Sequence, residues 1–208
     1  GIAKVSSKVL AGEVVTMSVD REHIPAKHRS LIKAFLDEAD MSADAIKTVD
    51  FPPVYGADIV VSCEKAKDPK NGSIYLKPTQ FVLGIGCRRD TAFENIDRAI
   101  RQSLLKLQID ISDIDMIASI DVKKDEPGIK EFCERNRIDF VTYTADELMA
   151  VQGEFSASQF VREHVGVDNV CERAAVLVCS RECNKAGELI YKKHKYDRVT
   201  VAAARYPD

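Results

Sequence analysis

Ionisable side chains concentrate where an apolar stretch of the sequence ends, directly after Ala118, Ser119 and Ile120. Five ionisable residues occupy the next six positions: Asp121, Lys123, Lys124, Asp125 and Glu126. A lysine beside carboxylates can tune the pKa of a proton-transfer group, so this spacing is typical of a general acid or base. A solvated turn is the alternative interpretation of the same run, and the spacing alone does not decide between them.

A second candidate site follows another apolar run, with the pattern Gly84-x-Gly86-Cys87-Arg88-Arg89. Glycines let the backbone approach a ligand, and the N-terminus of the following helix favours an anion. The pattern departs from the dinucleotide fingerprint because Arg89 stands where that motif has its third glycine. A nicotinamide-dependent oxidoreductase would rest on this imperfect turn alone, and a tight strand-to-helix turn without a ligand is the simpler alternative.

Cys87 lies in an electropositive turn at a helix start, which predicts a lowered thiol pKa. The alternative is a small, buried residue. Four pairs of residues have the spacing of helix-capping boxes, which would account for the glutamates of three of them without catalysis. These pairs are Thr91 with Glu94, Thr144 with Glu147, Ser156 with Gln159, and Asn169 with Glu172.

Composition limits the class of protein. The chain has 208 residues, 45% of them hydrophobic, and a net charge of −3, which excludes a generally basic nucleic-acid binder. No apolar run reaches the length of a membrane span, and no signal peptide opens the chain. None of the six cysteines forms a C-x2-C pair. We therefore expect reduced thiols without disulfide or zinc, in the cytoplasm.

Strand and helix signals alternate along the chain, which predicts an α/β protein. Residues 1–79 read as a small, incomplete α/β unit with strands near 14–16, 57–63 and 74–76 and a helix over 25–39. Residues 80–208 read as a three-layer α/β domain with a mostly parallel sheet. Its predicted strands are 81–86, 114–120 and 140–142, with a closing pair at 189–191 and 199–203.

Five phrases in the second part occur in the order found in one known family and cover about residues 81–204. They resemble the C-terminal domain of the cobalamin-biosynthesis protein family CbiG. Residues 1–80 resemble the central region of that family more loosely, from Val5 to Asp58. The five phrases are Gly84-Ile85-Gly86-Cys87-Arg88; Ala118-Ser119-Ile120-Asp121 with Lys123, Asp125 and Glu126; Phe155 with Ser158; Val165-Gly166-Val167 with Asn169, Val170, Glu172, Ala174 and Ala175; and Val199-Thr200-Val201-Ala202 with Ala204.

The resemblance implies a cobalt-precorrin-5A hydrolase of anaerobic cobalamin (vitamin B12) biosynthesis. Such an enzyme opens the lactone of the contracted macrocycle and releases the extruded carbon as acetaldehyde. Water is the co-substrate, and no separate cofactor is expected because the cobalt is carried by the substrate. Full-length CbiG proteins have a further N-terminal domain, so the resemblance leaves two interpretations, an inactive fragment or a natural short form. The alternative is a non-catalytic module, similar to CobE, that binds and transfers the corrinoid intermediate.

A corrinoid precursor carries many carboxylates around a flat ring, so its site needs a wide cleft with cations on the rim. Glu126 is the candidate proton-transfer group, Lys123 the candidate for charge stabilisation, and Ser119 a residue that could orient either. The predicted partners are the cobalt-precorrin intermediate, neighbouring pathway methyltransferases and a second copy of the chain, with no nucleic acid and no membrane. The predicted substrate-binding residues are Gly84, Gly86, Cys87, Arg88, Arg89, Ser119, Asp121, Lys124 and Ser158.

Overall fold

The structure is a computed structural model that describes residues 2–20, 24–25, 28, 46–49, 57–62, 72–156, 166–183 and 185–207. It divides into two units, residues 1–78 and 79–207. Most of the helix predicted over 25–39, the helix predicted after Ser156, and Ser158 itself lie outside the described residues. Within the part of the chain that is described, no helix is long and apolar enough to cross a membrane.

Among its described residues, the first unit has a parallel sheet of four strands. Helix α1 (Ile2–Leu10) precedes strand β1 (Val15–Val19), and β2 (Ile46–Val49), β3 (Ile59–Val61) and β4 (Ile74–Leu76) follow. The strand order is β2-β1-β3-β4, and every pairing is parallel. The strands predicted near 14–16, 57–63 and 74–76 are confirmed, whereas α1 and β2 were not predicted.

Asp58 is a buried carboxylate of this first unit, directly before β3. Lys8 Nζ donates to its Oδ2 at 2.8 Å, and both the backbone N–H and the hydroxyl of Thr16 donate to the same oxygen. Lys4 Nζ lies 3.5 Å from the other carboxylate oxygen. Burial alone would raise the pKa of Asp58, but these donors outweigh it and lower the pKa to about 2. The carboxylate therefore ties α1 to the sheet.

The second unit is built on a mixed sheet of five strands, in the order β7-β6-β5-β9-β8. The strands β5 (Phe81–Cys87), β6 (Ile114–Ile120) and β7 (Asp139–Tyr143) pair in parallel, and β8 (Glu188–Lys195) forms an antiparallel hairpin with β9 (Val199–Arg205). Because β9 is also antiparallel to β5, four of the five strands run in one direction. The prediction of a mostly parallel sheet is confirmed.

Helices cover both faces of this sheet, which makes the predicted three layers. Strand residues alternate between the faces: Leu83 and Ile85 pack with helices α2 (Phe93–Leu107) and α3 (Pro127–Asn136). Val82 packs on the other face with α4 (Ala145–Met149) and α5 (Val170–Cys183). The buried central residues 82–85 of β5 explain the continuous apolar run from which the strand was predicted.

Two of the predicted capping boxes are wrong in whole or in part. Helix α2 has Ala92 as its N-cap and no side-chain cap, and Thr91 instead donates its hydroxyl proton to the carbonyl of Arg88. At α5, Asn169 Oδ1 accepts the backbone N–H of Glu172 as predicted, but the Glu172 carboxylate does not return to Asn169. Tertiary contacts outside each helix override the local pattern in both cases.

The box at α4 is confirmed, with the side chains of Thr144 and Glu147 each bonded to the backbone N–H of the other. The hairpin differs in one respect from the prediction, since β8 continues to Lys195 instead of ending near residue 191.

Candidate functional site

The predicted chemistry lies at one edge of the five-stranded sheet, which we call the carboxyl edge. Strands β5, β6, β7 and β8 all end there, at Cys87, Ile120, Tyr143 and Lys195. The segments that follow β5 and β6 are residues 88–92 and 121–126, which contain most of the predicted site residues. Ligands of open α/β sheets bind outside the carboxyl ends of the strands, so the topology gives these two segments the expected location.

Glu126 joins the two segments. Its Oε1 accepts the backbone N–H of Thr91 at 2.9 Å, and its Oε2 accepts a hydrogen bond from Lys123 Nζ at 2.9 Å. The side chain of Glu126 is only 5% exposed, whereas that of Lys123 is 14% exposed. The structure therefore brings the predicted catalytic pair together, with the carboxylate behind and the ammonium nearer to solvent.

Backbone packing holds the same two segments in contact. A Cβ added to Gly128, in the first turn of α3, would lie 2.3 Å from the carbonyl oxygen of Thr91. Only glycine therefore allows the start of α3 to approach the segment after β5 so closely. The hydrogen bond from Thr91 to Glu126 lies beside this contact, so the ion pair has a rigid base.

Cys87 lies next to the ion pair but does not have the predicted thiol pKa. Burial raises the pKa of Cys87 to about 11, with Lys123 lowering it and Glu126 raising it. The prediction of a lowered pKa is wrong because loss of water around the half-buried thiol outweighs the nearby cation. Cys87 is a protonated thiol at neutral pH, a weak donor rather than a nucleophile.

Ser119 is a fully buried residue of β6, and its hydroxyl donates to the carbonyl oxygen of Ile85 at 2.6 Å. This bond joins β6 to β5 across the sheet, and it directs the hydroxyl at the backbone. Ser119 thus supports the strand that leads to Lys123 and Glu126, but its hydrogen bond is made to neither of them.

The two predicted glycines of β5 have packing roles. A Cβ on Gly84 would lie 1.7 Å from the carbonyl oxygen of Cys171, so the first turn of α5 rests directly on this strand. A Cβ on Gly86 would lie 2.6 Å from Thr200 Oγ1, which donates to the Gly86 carbonyl. The close approach at Gly84 is made by a helix of the chain itself, which removes the argument for a nucleotide phosphate there.

The exposed cations of the edge form its outer part. Arg88, Arg89 and Lys124 are exposed, and Asp121 is partly exposed. The hairpin between β8 and β9 adds Arg198, which was not predicted. Its Nη2 donates to the carbonyl of Arg89 at 3.0 Å, and its own carbonyl accepts the N–H of Arg88 at 3.0 Å. The sequence signal for Arg198 is its place in a hairpin that must return at this edge.

Within the described residues, no group of three or more His, Cys, Asp and Glu side chains is arranged to hold a metal ion. The described cysteines 87, 133, 171, 179 and 183 are free thiols. Cys63 lies outside the described part of the chain.

Comparisons with known proteins show which family the chain resembles. A cobalt-precorrin-5A hydrolase of Salmonella typhimurium is 38% identical over 126 residues, which cover 61% of this chain and 34% of the relative. A probable cobalt-precorrin-5A hydrolase of Methanocaldococcus jannaschii is 31% identical over 137 residues, covering 64% of this chain and 42% of the relative. The chain thus spans less than half the length of these two relatives.

A solved structure of CobE, a protein from the cobalamin (vitamin B12) biosynthetic pathway, superposes with a TM-score of 0.57 at 26% identity. It covers 60% of this chain and 89% of the CobE chain. The family model described as cobalamin synthesis G C-terminus matches residues 81–204, which include both segments of the carboxyl edge. The chain belongs to the family of the cobalamin synthesis G C-terminus, as the phrases in its sequence indicated.

Proposed function

We propose that this chain takes part in the hydrolysis of cobalt-precorrin-5A, the reaction named in the relatives from Salmonella typhimurium and Methanocaldococcus jannaschii. The observation that carries the proposal is the Lys123–Glu126 pair, held at the carboxyl edge by the backbone of Thr91. It combines a candidate proton acceptor with a cation at the site where this fold binds ligands.

Lactone opening adds water across an acyl–oxygen bond. Water attacks the acyl carbon, negative charge develops on the carbonyl oxygen, and the ring oxygen leaves with a proton. In the proposal, Lys123 stabilises the developing oxyanion with the ammonium hydrogens that Glu126 does not bind. Glu126 retains lone pairs on both oxygens, and it accepts the proton of the attacking water and returns it to the leaving oxygen.

The substrate has carboxylates on its periphery, and the outer part of the edge supplies the cations to match them. Arg88, Arg89 and Lys124 are exposed there, beside the pair. Guanidinium groups bind carboxylates in a bidentate manner, so the two arginines suit this task. The remaining predicted contacts, Gly84, Gly86, Cys87, Ser119, Asp121 and Ser158, stay predictions.

We further propose that the reaction needs no separate cofactor, because the cobalt enters with the substrate, and that it takes place in the cytoplasm. The unstable intermediate would pass to neighbouring methyltransferases of the pathway, and a homodimer is the proposed assembly.

A second candidate function is a non-catalytic module that binds and transfers the corrinoid intermediate. The burial of Glu126 favours it, since both carboxylate oxygens already accept hydrogen bonds within the protein. The likeness to CobE favours it as well, because 89% of the CobE chain is covered by 60% of this chain.

Anaerobic incubation of the chain with cobalt-precorrin-5A separates the candidates. Hydrolysis predicts acetaldehyde, measured as its hydrazone, and a changed corrinoid absorption spectrum. A bound corrinoid without acetaldehyde supports the transfer module. Absence of both binding and acetaldehyde overturns the proposed function.

A further inference from the structure

Glu172 is a fully buried carboxylate in the first turn of α5, and it accepts three hydrogen bonds. The backbone N–H and the hydroxyl of Ser156 donate to it at 2.8 Å each, and the backbone N–H of Lys193 donates at 2.6 Å. All three donors are neutral and come from outside α5. A buried carboxylate is stable only when such donors replace water, so the three bonds fix the positions of their donors.

The carbonyl of Ser156 is held from the other side. Asn169 Nδ2 donates to it at 2.8 Å, and Lys193 Nζ lies 3.4 Å away and donates to it as well. Every polar atom of Ser156 is therefore bonded to one of three residues. Lys193 is therefore held at two points. Glu172 accepts its backbone N–H, and the Ser156 carbonyl accepts a hydrogen bond from its ammonium group.

This network lies at the carboxyl edge, on the face of the sheet opposite α2 and α3. Lys193 lies two residues before β8 ends at that edge, and helix α5 begins on the same face, with the Cys171 carbonyl packed on Gly84 of β5. Lys193 is near enough to lower the pKa of the Cys171 thiol, although burial dominates and raises that pKa to about 12. Ser156 and Lys193 are both partly exposed, whereas Glu172 lies behind them without exposure.

We infer that the Lys193 ammonium forms an anion-binding subsite for one peripheral carboxylate of the corrinoid, and that Glu172 and the Ser156 peptide are its positioning residues. The inference rests on the proposed function for the identity of the ligand. Lys193 meets the substrate carboxylate with the ammonium hydrogens left free of the Ser156 carbonyl. Glu172 touches no substrate, and it acts by holding the Ser156 peptide and the Lys193 backbone in place.

Four variants test this subsite by anaerobic titration with cobalt-precorrin-5A, followed by absorption difference. Loss of a charge-assisted hydrogen bond at Lys193→Met raises Kd ~10-fold, and Lys193→Arg restores most of the affinity. Glu172→Gln raises Kd by a similar factor, because its amide nitrogen takes the place of one carboxylate oxygen and faces one or two of the donors that this oxygen accepted. Lys192→Met is the matched control, since it removes the exposed neighbouring lysine of β8, and its Kd stays within twofold of the wild-type value.

The double variant Lys193→Met with Glu172→Gln separates positioning from a general loss of structure. If Glu172 acts through Lys193, the double variant binds no worse than Lys193→Met alone, because contacting residues are not additive. Full additivity, or wild-type affinity of Lys193→Met, overturns the inference while leaving the proposed function intact. Failure of the wild-type chain to bind the corrinoid overturns both.

If Glu172→Gln does not fold, Ser156→Ala replaces it. This variant removes one donor and leaves the two backbone donors, so it raises Kd a few-fold. An unchanged Kd then overturns the inference.

Discussion

Replacement of Glu126 by glutamine tests the structural and the catalytic parts of the argument together. The carboxylate binds Thr91 N–H with one oxygen and Lys123 Nζ with the other, both at 2.9 Å. A glutamine side chain has a similar shape but only one acceptor oxygen. If that oxygen keeps the bond to Thr91, the amide nitrogen faces the Lys123 ammonium. Both groups are hydrogen-bond donors, so the bond to Lys123 is lost.

The expected loss of stability comes from the Lys123 ammonium, which is left without its carboxylate partner. Removal of one partner from a buried ion pair costs ~3–5 kcal/mol. Because the side chain of Lys123 keeps 14% exposure, water recovers part of that energy, and we expect about 2–3 kcal/mol. For a unit of this size the cost lowers the melting temperature by roughly 5–10 °C. The double variant Lys123→Met with Glu126→Gln removes the stranded charge and recovers at least half of the loss.

The catalytic effect is separate from the stability effect. If Glu126 transfers protons, Glu126→Gln lowers turnover ~10²-fold or more while corrinoid binding persists. Acetaldehyde release is measured well below the melting temperature of the variant, so that only folded protein is compared. Glu131→Gln is the matched control, because Glu131 is an exposed glutamate of α3 whose partner is Arg135, and it changes neither quantity appreciably.

Two results would refute the reasoning in different places. An unchanged melting temperature for Glu126→Gln would show that the buried bridge between the two segments does not stabilise the protein. An unchanged rate of acetaldehyde release would remove Glu126 from the chemistry and leave it as a structural bridge. In that second case the positioning of Lys123 would be the only remaining role of the pair.

Three further predictions concern packing, acid stability and thiol chemistry. Gly84→Ala destabilises the second unit by ~3 kcal/mol or more, seen as chemical unfolding at lower denaturant, whereas Gly86→Ala costs less because a side chain can move aside. The lowered pKa of Asp58 stabilises the first unit above about pH 4, and roughly 2 kcal/mol is lost as pH falls towards 2; Asp58→Asn abolishes that pH dependence in urea unfolding. Cys87 in the folded protein resists iodoacetamide at pH 8 and reacts faster as pH approaches 11, as peptide mass analysis would show.

The sequence was sufficient for features that depend on periodicity and topology. Apolar runs located β5, β6 and β7, and the parallel arrangement implied that Lys123 and Glu126 would lie beside the turn after Gly86. That inference needs only strand direction, since the carboxyl ends of parallel strands meet at one edge. The true capping box of Thr144 and Glu147 was also predictable, because its donors and acceptors are local in sequence.

Features that depend on contacts between distant segments were not predictable in this way. Thr91 has the spacing of a cap, yet its N–H is bound by Glu126, 35 residues away along the chain. The role of Gly84 as a packing position for α5 required knowledge of which helix covers that face. The raised pKa of Cys87 depends on burial, which residue type and local charge do not report.

Glu126 and Glu172 differ from an ordinary capping glutamate in the same two respects, burial and hydrogen-bond partners. Glu147 is a local cap at the surface, whereas Glu126 and Glu172 are buried and accept backbone N–H groups from other segments. Replacing a buried charge network by well-packed apolar residues is often neutral or stabilising, so stability alone is a weak reason to keep a carboxylate in the interior. Apolar residues cannot hold a hydrogen-bond donor at a fixed angle and distance.

Each of these carboxylates holds a lysine at the carboxyl edge. Glu126 binds the ammonium of Lys123, and Glu172 binds the backbone N–H of Lys193. In the proposed function, a lysine held in this way binds a carboxylate of the corrinoid better than a free surface lysine, because less conformational entropy is lost on binding.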